Sequence, residues 1–289
     1  MSLLILFFPV VFFIFSQQKI INDSTIRKVV LISFIAGIFA VLVVKFVFYP
    51  LITVFFFPGF SEILYESDFS KKITACFLFI GPLEEGIKLV VSLLAVIMAQ
   101  ATGVLSFTVT LNQSFFFNTS SQTNFGERDR NFQEIVTGLE KNRLKAIYSA
   151  AFATALGFSF MENIGYFDND LQKLFFRAIL CSLCHVSCSG IAVSGVVLSL
   201  VFAKHKTWNY FKTLSVICFF FLLSVVIHAG INLFVVSATF FNSIIILSYL
   251  NFLICIALID IHAFSTEQLG NASMLNPCSS VVKNQFLFY

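Results

Sequence analysis

Charged side chains are scarce in this sequence: Asp, Glu, Lys and Arg together make up 11% of its 289 residues. Soluble globular domains carry about 25% charged residues, so the composition excludes an ordinary water-exposed surface. The net charge is only +3 and no basic stripe is present, which argues against a nucleic acid as partner. Apolar residues take the place of the missing charges, since 58% of the chain is hydrophobic.

This composition is typical of a membrane protein, and three further absences show which kinds of membrane protein the sequence excludes. The alternating short segments of a β-barrel are missing, which leaves helices as the elements that satisfy their own backbone in lipid. The N-terminal residues show neither a positive region nor a small-residue cleavage site, so no cleavable secretion signal is expected. The 7 cysteines lie mostly inside apolar runs, where they are interpreted as small packing residues and not as a disulfide framework.

Apolar segments separated by polar linkers predict an all-α, polytopic transmembrane bundle of about seven helices. They cover residues 2–16, 29–49, 73–99, 146–167, 175–203, 212–237 and 241–263. We expect a transmembrane domain over residues 1–264, with a motif-bearing core at 73–237, and a polar C-terminal tail at 265–289. A long polar insertion at 112–145 is either disordered or contains a short amphipathic helix.

Lys and Arg are distributed unequally between the two sets of linkers. With the first linker in the cytoplasm, one side carries twelve of these residues and the other side carries four. Because cytoplasmic loops are enriched in Lys and Arg, this bias predicts an extracytoplasmic N-terminus and a cytoplasmic C-terminus.

The third segment contains Glu84, Glu85 and Lys88 in the middle of an apolar run. A charge at the centre of a membrane helix is unfavourable by about 3 kcal/mol or more, so these residues predict a functional site. Lys88 shares a helix face with both carboxylates and can hold one ionised while the other handles a proton. Pro82 is expected to kink the helix just before them. The alternative is a structural ion pair, which one Glu would satisfy without the second.

The fourth segment ends with Glu162, Asn163 and Tyr166. Taken alone, Glu162 would also fit a carboxylate that simply reaches water at the end of its helix. Asn163 adds an amide on the neighbouring face, and Tyr166 lies one turn beyond Glu162.

The fifth and sixth segments each carry a histidine inside an apolar run. His185 lies among Ser, Cys and Gly residues, and a lone membrane histidine often serves as an interhelical hydrogen bonder. His228 and Asn232 are i,i+4 on one helix face, a pairing that suits a ligand or base oriented by an amide.

The predicted depths of these residues agree. At about 1.5 Å per residue, Glu84 and Glu85 lie roughly 17 Å from the outer end of their helix. His185 and His228 lie roughly 16 and 14 Å from the outer ends of theirs, and Glu162 lies roughly 8 Å from its own. We therefore expect one polar cluster in the outer half of the membrane.

Two histidines and up to three carboxylates around one cavity are suited to hydrolysis. Imidazole and carboxylate bind Zn²⁺ with an open position for water, and a spare Glu can take a proton. Without a metal, a Glu and a His can activate water directly. The sequence lacks His-Glu-x-x-His, Gly-x-Ser-x-Gly and a rhomboid-type Ser/His pair, which excludes the corresponding protease classes.

Four motifs in order resemble the PrsW family of intramembrane proteases, distant relatives of the CAAX prenyl proteases. They are Glu84-Glu85-x-x-Lys88, Gly157-Phe158-x-x-x-Glu162-Asn163-x-x-Tyr166, His185 and His228. The resemblance implies a membrane-embedded endopeptidase of the bacterial cytoplasmic (inner) membrane. Its substrate would be a single-span membrane protein, of the anti-sigma-factor kind, cleaved at a first site on the extracytoplasmic side. The insertion at 112–145 is longer than this family's pattern.

By position, the resemblance assigns catalytic roles to Glu84, Glu85, Lys88, Glu162, His185 and His228. Glu84 or Glu85 would act as general base, with Lys88 tuning the pair. If the family's metal dependence applies, zinc would be held by Glu162, His185 and His228. Asn163, Tyr166 and Asn232 would support the site.

Two other functions fit parts of the pattern. A proton- or ion-coupled transporter also gathers carboxylates within the membrane, but the inverted repeats and paired broken helices of transporters are missing. A non-catalytic binding protein of the same fold would have no reason to retain the full set of carboxylates and histidines.

Overall fold

The computed structural model describes residues 24–58, 60, 68–101, 125–165, 177–202 and 210–237. Within these ranges the chain is almost entirely helical and contains no strand. The continuous helices are numbered α1 to α5 in chain order. Helix α1 consists of Ser24–Val43, a π-helical turn Val44–Phe48, and Tyr49–Phe55. Helix α2 consists of Phe69–Thr74, a π-helical turn Ala75–Ile80, and Gly81–Ala101.

The remaining described helices follow the same order. Helix α3 is Phe125–Gly165, the longest of the described helices with 41 residues. Helix α4 consists of a π-helical turn Arg177–Cys181 and Ser182–Phe202. Helix α5 is Tyr210–Ser237.

The all-α prediction is confirmed, and the described part of each predicted segment between residues 29 and 237 falls on one helix. Of the predicted polar insertion, residues 125–145 are helical and form the first part of α3. The insertion's residues 112–124, the predicted first and last segments and the polar tail lie outside the described residues.

Helix lengths and composition identify an integral membrane protein. Candidate membrane spans cover Ile26–Phe55, Leu144–Gly165, Arg177–Leu200 and Tyr210–Leu233. In α2 the stretch Gly81–Ala101 has 21 residues, enough to cross most of a bilayer, but it includes Glu84, Glu85 and Lys88. All three are buried against other helices, so the protein interior and not lipid surrounds them.

Helix α3 lies at the centre of the bundle. Every residue from 146 to 159 is buried, and this stretch packs with Val29 of α1, Val96 of α2 and Val193 of α4. Helices α1 and α5 instead expose large apolar side chains such as Phe46 and Phe219, as expected for surfaces in contact with lipid. The bundle thus has a closely packed interior around α3 and an apolar periphery.

The backbones of α1 and α3 come into direct contact at two glycines. A Cβ atom at Gly37 would lie 2.1 Å from the Thr154 carbonyl oxygen, and one at Gly157 would lie 2.0 Å from the Phe34 carbonyl oxygen. Small residues allow such close approach between membrane helices, whose association depends on van der Waals packing.

Replacing Gly157 by Ala is expected to destabilise the protein by about 1–3 kcal/mol, because the added methyl group overlaps backbone that cannot move aside cheaply. Thermal unfolding in detergent micelles measures the effect. Gly230→Ala is the matched control, since a Cβ atom there meets nothing within 4 Å. Equal stability of the two variants would contradict the packing described here.

Candidate active site

The carboxylates of α2 point into the bundle after a π-helical turn. The Gly81 N–H bonds to the Cys76 carbonyl, five residues back, so the following helix is rotated by about 100° relative to a regular α-helix. Pro82, predicted from the sequence to disturb the helix, follows this turn directly. Beyond it, Glu84 is 5% exposed and Glu85 is fully buried.

Glu85 has both of its carboxylate oxygens engaged. The Lys88 ammonium contacts Oε1, and both side chains are completely buried. The Ser224 hydroxyl of α5 donates to Oε2 at 3.1 Å. His228 Nδ1 also lies 2.6 Å from Oε1, although the two atoms are not aligned as a hydrogen bond. Glu85 is therefore held between α2 and α5 as the ionised partner of a buried cation.

Glu84 has one engaged oxygen and one open oxygen. The Tyr49 hydroxyl of α1 donates to Oε1 at 2.8 Å. Oε2 lies 3.5 Å from His228 Nε2 and, among the described residues, has no hydrogen-bond partner although it is buried. The two adjacent carboxylates thus differ: Glu85 is tied to Lys88, and Glu84 presents an oxygen to the histidines.

The two histidines face each other across the interface of α4 and α5. The ring centroids of His185 and His228 are 4.9 Å apart with an interplanar angle of 81°. His185 Nε2 lies 2.8 Å from Glu162 Oε2 at the end of α3, and Arg177 donates to the other Glu162 oxygen at 3.3 Å. Four of the five described helices therefore meet through polar side chains at this point, and α1 joins them through a tyrosine.

The protonation pattern of His185 follows from its neighbours. Nδ1 lies 2.9 Å from the Lys88 ammonium, which has only hydrogens to offer, so Nδ1 must accept. In this arrangement the proton of a neutral His185 resides on Nε2 and is donated to Glu162, so ligation of a metal ion by His185 would replace one of these two contacts. Lys88 thereby connects Glu85 on one side to His185 on the other.

One edge of the cluster is partly exposed, and its interior is fully buried. The side chains of Glu162 and Arg177 are 17% and 15% exposed, whereas those of Glu85 and Lys88 are 0% exposed. The Glu162 end of the site is therefore partly exposed, while the ion pair of α2 is shielded.

A metal ion fits one part of this cluster. Glu84, His185 and His228 each bring a ligand atom to within 4.8 Å of the other two. One carboxylate and two imidazoles form a ligand set known from catalytic zinc sites. The buried Glu84 oxygen, which has no hydrogen-bond partner in the described part of the chain, is suited to a cation. The ligand set predicted from the sequence contained Glu162 in place of Glu84, and the Glu162 carboxylate lies beside His185 at the partly exposed edge of the site.

The predicted supporting residues differ in their placement. Asn163 is buried and donates to the Ser159 hydroxyl at 3.3 Å, which in turn lies 2.7 Å from Ser182 on α4. It therefore supports Ser159, whose hydroxyl makes the contact between α3 and α4. Asn232 is half-buried one turn beyond His228, without a hydrogen bond to it within the described part of α5. Tyr166 lies outside the described residues.

Sequence reasoning missed three polar residues of the cluster: Tyr49, Arg177 and Ser224. Ser224 lies in an apolar run and could not be distinguished from a packing serine. Arg177 lies near the start of the fifth predicted segment, and its signal is its position eight residues, or about two helical turns, before His185. Tyr49 lies at the end of the second predicted segment, and its signal is the neighbouring Pro50, which marks a helix irregularity.

Comparison with known proteins gives one match. The family model described as PrsW family intramembrane metalloprotease matches residues 25–259, most of the chain and every residue of the cluster. No curated protein and no solved structure matches the chain.

Proposed function

Because the chain belongs to the PrsW family of intramembrane metalloproteases, we propose that it hydrolyses a peptide bond of a single-span membrane protein at the cluster around Glu84, His185 and His228. One observation carries this proposal: these three residues come from three different helices, and their ligand atoms lie within 4.8 Å in a buried site. Separate structural polar residues have no reason to converge in this way, because each desolvated group is unfavourable unless it is paired.

The metal implied by the family is proposed to be zinc, held by Glu84, His185 and His228. When bound, such an ion supplies a Lewis acid that polarises a peptide carbonyl and eases the deprotonation of water. The remaining ionisable residues divide between proton transfer and support.

Glu162 is proposed to act as general base and acid, a role that the sequence assigned to Glu84 or Glu85. It lies at the partly exposed edge of the site, where we expect water to enter, and Arg177 stabilises its ionised form. It accepts a proton as water adds to the carbonyl carbon, and returns a proton to the amine nitrogen as the carbon–nitrogen bond breaks. Glu85 is completely buried and paired with Lys88, so its proposed role is to hold Lys88 and face His228.

The proposed location is the bacterial cytoplasmic membrane, with the N-terminus outside. The distribution of Lys and Arg supports this orientation, with twelve on one set of linkers against four on the other. In this orientation the site lies in the outer half of the membrane, so cleavage occurs near the extracytoplasmic end of the substrate's span. A substrate of the anti-sigma-factor kind, cut at a first site, fits this depth.

Cleavage in a defined membrane tests the function. The purified chain is placed in liposomes with a single-span protein labelled at both ends, and mass spectrometry locates the cut. We expect two fragments, with the cut in the outer part of the span. Intact substrate together with ion flux through the liposomes would instead identify a transporter.

Removing the metal is expected to abolish cleavage by the wild-type protein and to leave its fold intact. Treatment with a zinc chelator should lower turnover to background, and added Zn²⁺ should restore it. Elemental analysis before and after treatment gives a readout independent of activity. Full turnover by protein that contains no metal would contradict the proposed zinc site.

A further inference from the structure

The orientation of Tyr49 depends on an irregularity in α1. The Tyr49 N–H bonds to the Val44 carbonyl five residues back, so the two residues lie on the same side of the helix. Val44 is 1% exposed and faces the bundle interior. In a regular α-helix, residues 47 and 48 would lie one turn after Val44 on the same face. Tyr49 would then point about 100° away from residue 48 around the helix axis. The π-helical turn therefore directs this tyrosine inward, toward α2.

The hydroxyl of Tyr49 meets Glu84, the carboxylate of the cluster that keeps an oxygen without a hydrogen-bond partner among the described residues. It donates to Glu84 Oε1 at 2.8 Å, and this leaves Oε2 turned toward His228. The terminal torsion of a Glu side chain is broad and nearly two-fold, so an untethered carboxylate samples many orientations. One hydrogen bond from a fixed donor removes most of that freedom.

Tyr49 is a fixed donor because its ring is held independently of Glu84. The ring packs edge-on against Phe60, with centroids 5.4 Å apart. Tyr49 and Ile52 of the same helix pack against an apolar cluster that includes Phe60 and Ile80 of α2. Apolar packing thus sets the direction of the hydroxyl independently of its interaction with the Glu84 carboxylate.

We infer that Tyr49 is a positioning residue of this protease, which orients the Glu84 carboxylate so that Oε2 faces His185 and His228. The inference rests on the proposed function, because it takes Glu84 as a ligand of the zinc ion. Hydrogen bonds to a metal-ligating carboxylate typically contribute 10- to 100-fold to metal affinity or activity. It also gives α1, which carries none of the sequence motifs, a direct part in the site.

The test compares Tyr49→Phe with Tyr148→Phe in the full chain in liposomes. Both substitutions remove one hydroxyl and keep the ring, and the Tyr148 hydroxyl lies 3.0 Å from Ser194 between α3 and α4. Zinc affinity is measured by competition with a chelator, and kcat and KM are measured at saturating zinc. We expect Tyr49→Phe to weaken zinc binding by about 10- to 100-fold and to lower kcat more than it changes KM. Tyr148→Phe should change zinc affinity by less than about twofold.

A double-mutant cycle separates positioning from a general structural effect. In protein that already carries Glu84→Ala, the further change Tyr49→Phe should alter zinc affinity by less than about twofold, because the group it orients is gone. The inference is overturned if Tyr49→Phe binds zinc as tightly as the wild type, or if its loss of affinity persists in full without Glu84. If wild-type protein with bound zinc cleaves no substrate, the proposed function fails, and the zinc measurements still decide the role of Tyr49.

Discussion

Replacing Glu162 by Gln is expected to lower kcat by about 10²- to 10⁴-fold, the usual contribution of a general acid–base group. Gln keeps an oxygen that accepts from His185 Nε2, so the contact of 2.8 Å between α3 and α4 survives the change. It cannot accept a proton from water, which removes the proposed chemical step. Cleavage of the labelled single-span substrate in liposomes, at saturating substrate, measures the effect.

Zinc content distinguishes the carboxylates from one another. Glu162→Gln is expected to retain zinc and lose turnover, whereas Glu84→Gln is expected to lose turnover and to bind zinc much more weakly, since one of the three proposed ligands becomes a neutral amide. Turnover of Glu162→Gln within a few-fold of the wild type would remove this residue from the mechanism. Loss of zinc from Glu162→Gln would instead return it to the ligand set that the sequence predicted.

Replacing Lys88 by Met is expected to destabilise the protein by about 3–5 kcal/mol, because the change leaves Glu85 as an unpaired charge in the bundle interior. Both side chains are 0% exposed, so solvent cannot compensate. Such a loss is a large part of a typical folding free energy of about 5–15 kcal/mol. The midpoint of unfolding in detergent, compared with the wild type, measures it.

The double variant Lys88→Met, Glu85→Gln is the control for this effect. Replacing both members of a buried ion pair by neutral groups is often nearly neutral for stability. Gln at 85 can still accept the hydrogen bond of Ser224, so the double variant should recover most of the lost stability. A double variant as unstable as Lys88→Met alone would show that the lysine stabilises the fold by packing, for example against Phe158, and not through its charge.

Most of the described helices could be predicted from the sequence because long apolar runs permit little else in lipid. The positions of the helix ends were less predictable from the sequence. Residues 125–145 are polar and gave no apolar signal, yet they are helical as the first part of α3. Helix α1 extends to residue 55, past the predicted end at 49, because Pro50 lies in the first turn of the stretch after the π-helical turn, where its missing N–H does little harm.

The candidate site was partly predictable for the same reason. Ionisable residues such as Glu84, Glu85 and His228 are conspicuous in an apolar run, so their presence alone indicated a cluster. Their partners were not predictable. Lys88 lies at i,i+3 from Glu85 and i,i+4 from Glu84, and spacing alone permits either pair. The structure pairs it with Glu85, which the Ser224 hydroxyl of α5 also contacts.

The sequence by itself determined that this chain is an all-helical membrane protein and which ionisable residues lie within its apolar runs, because both follow from the unfavourable transfer of polar groups into lipid. Only the tertiary structure decided which of these residues touch. Helix packing and the π-helical turns before Tyr49 and Gly81 set the rotation of each helix about its axis. A rotation of one residue, about 100°, decides whether a side chain faces the site or the lipid, and no local pattern specifies it.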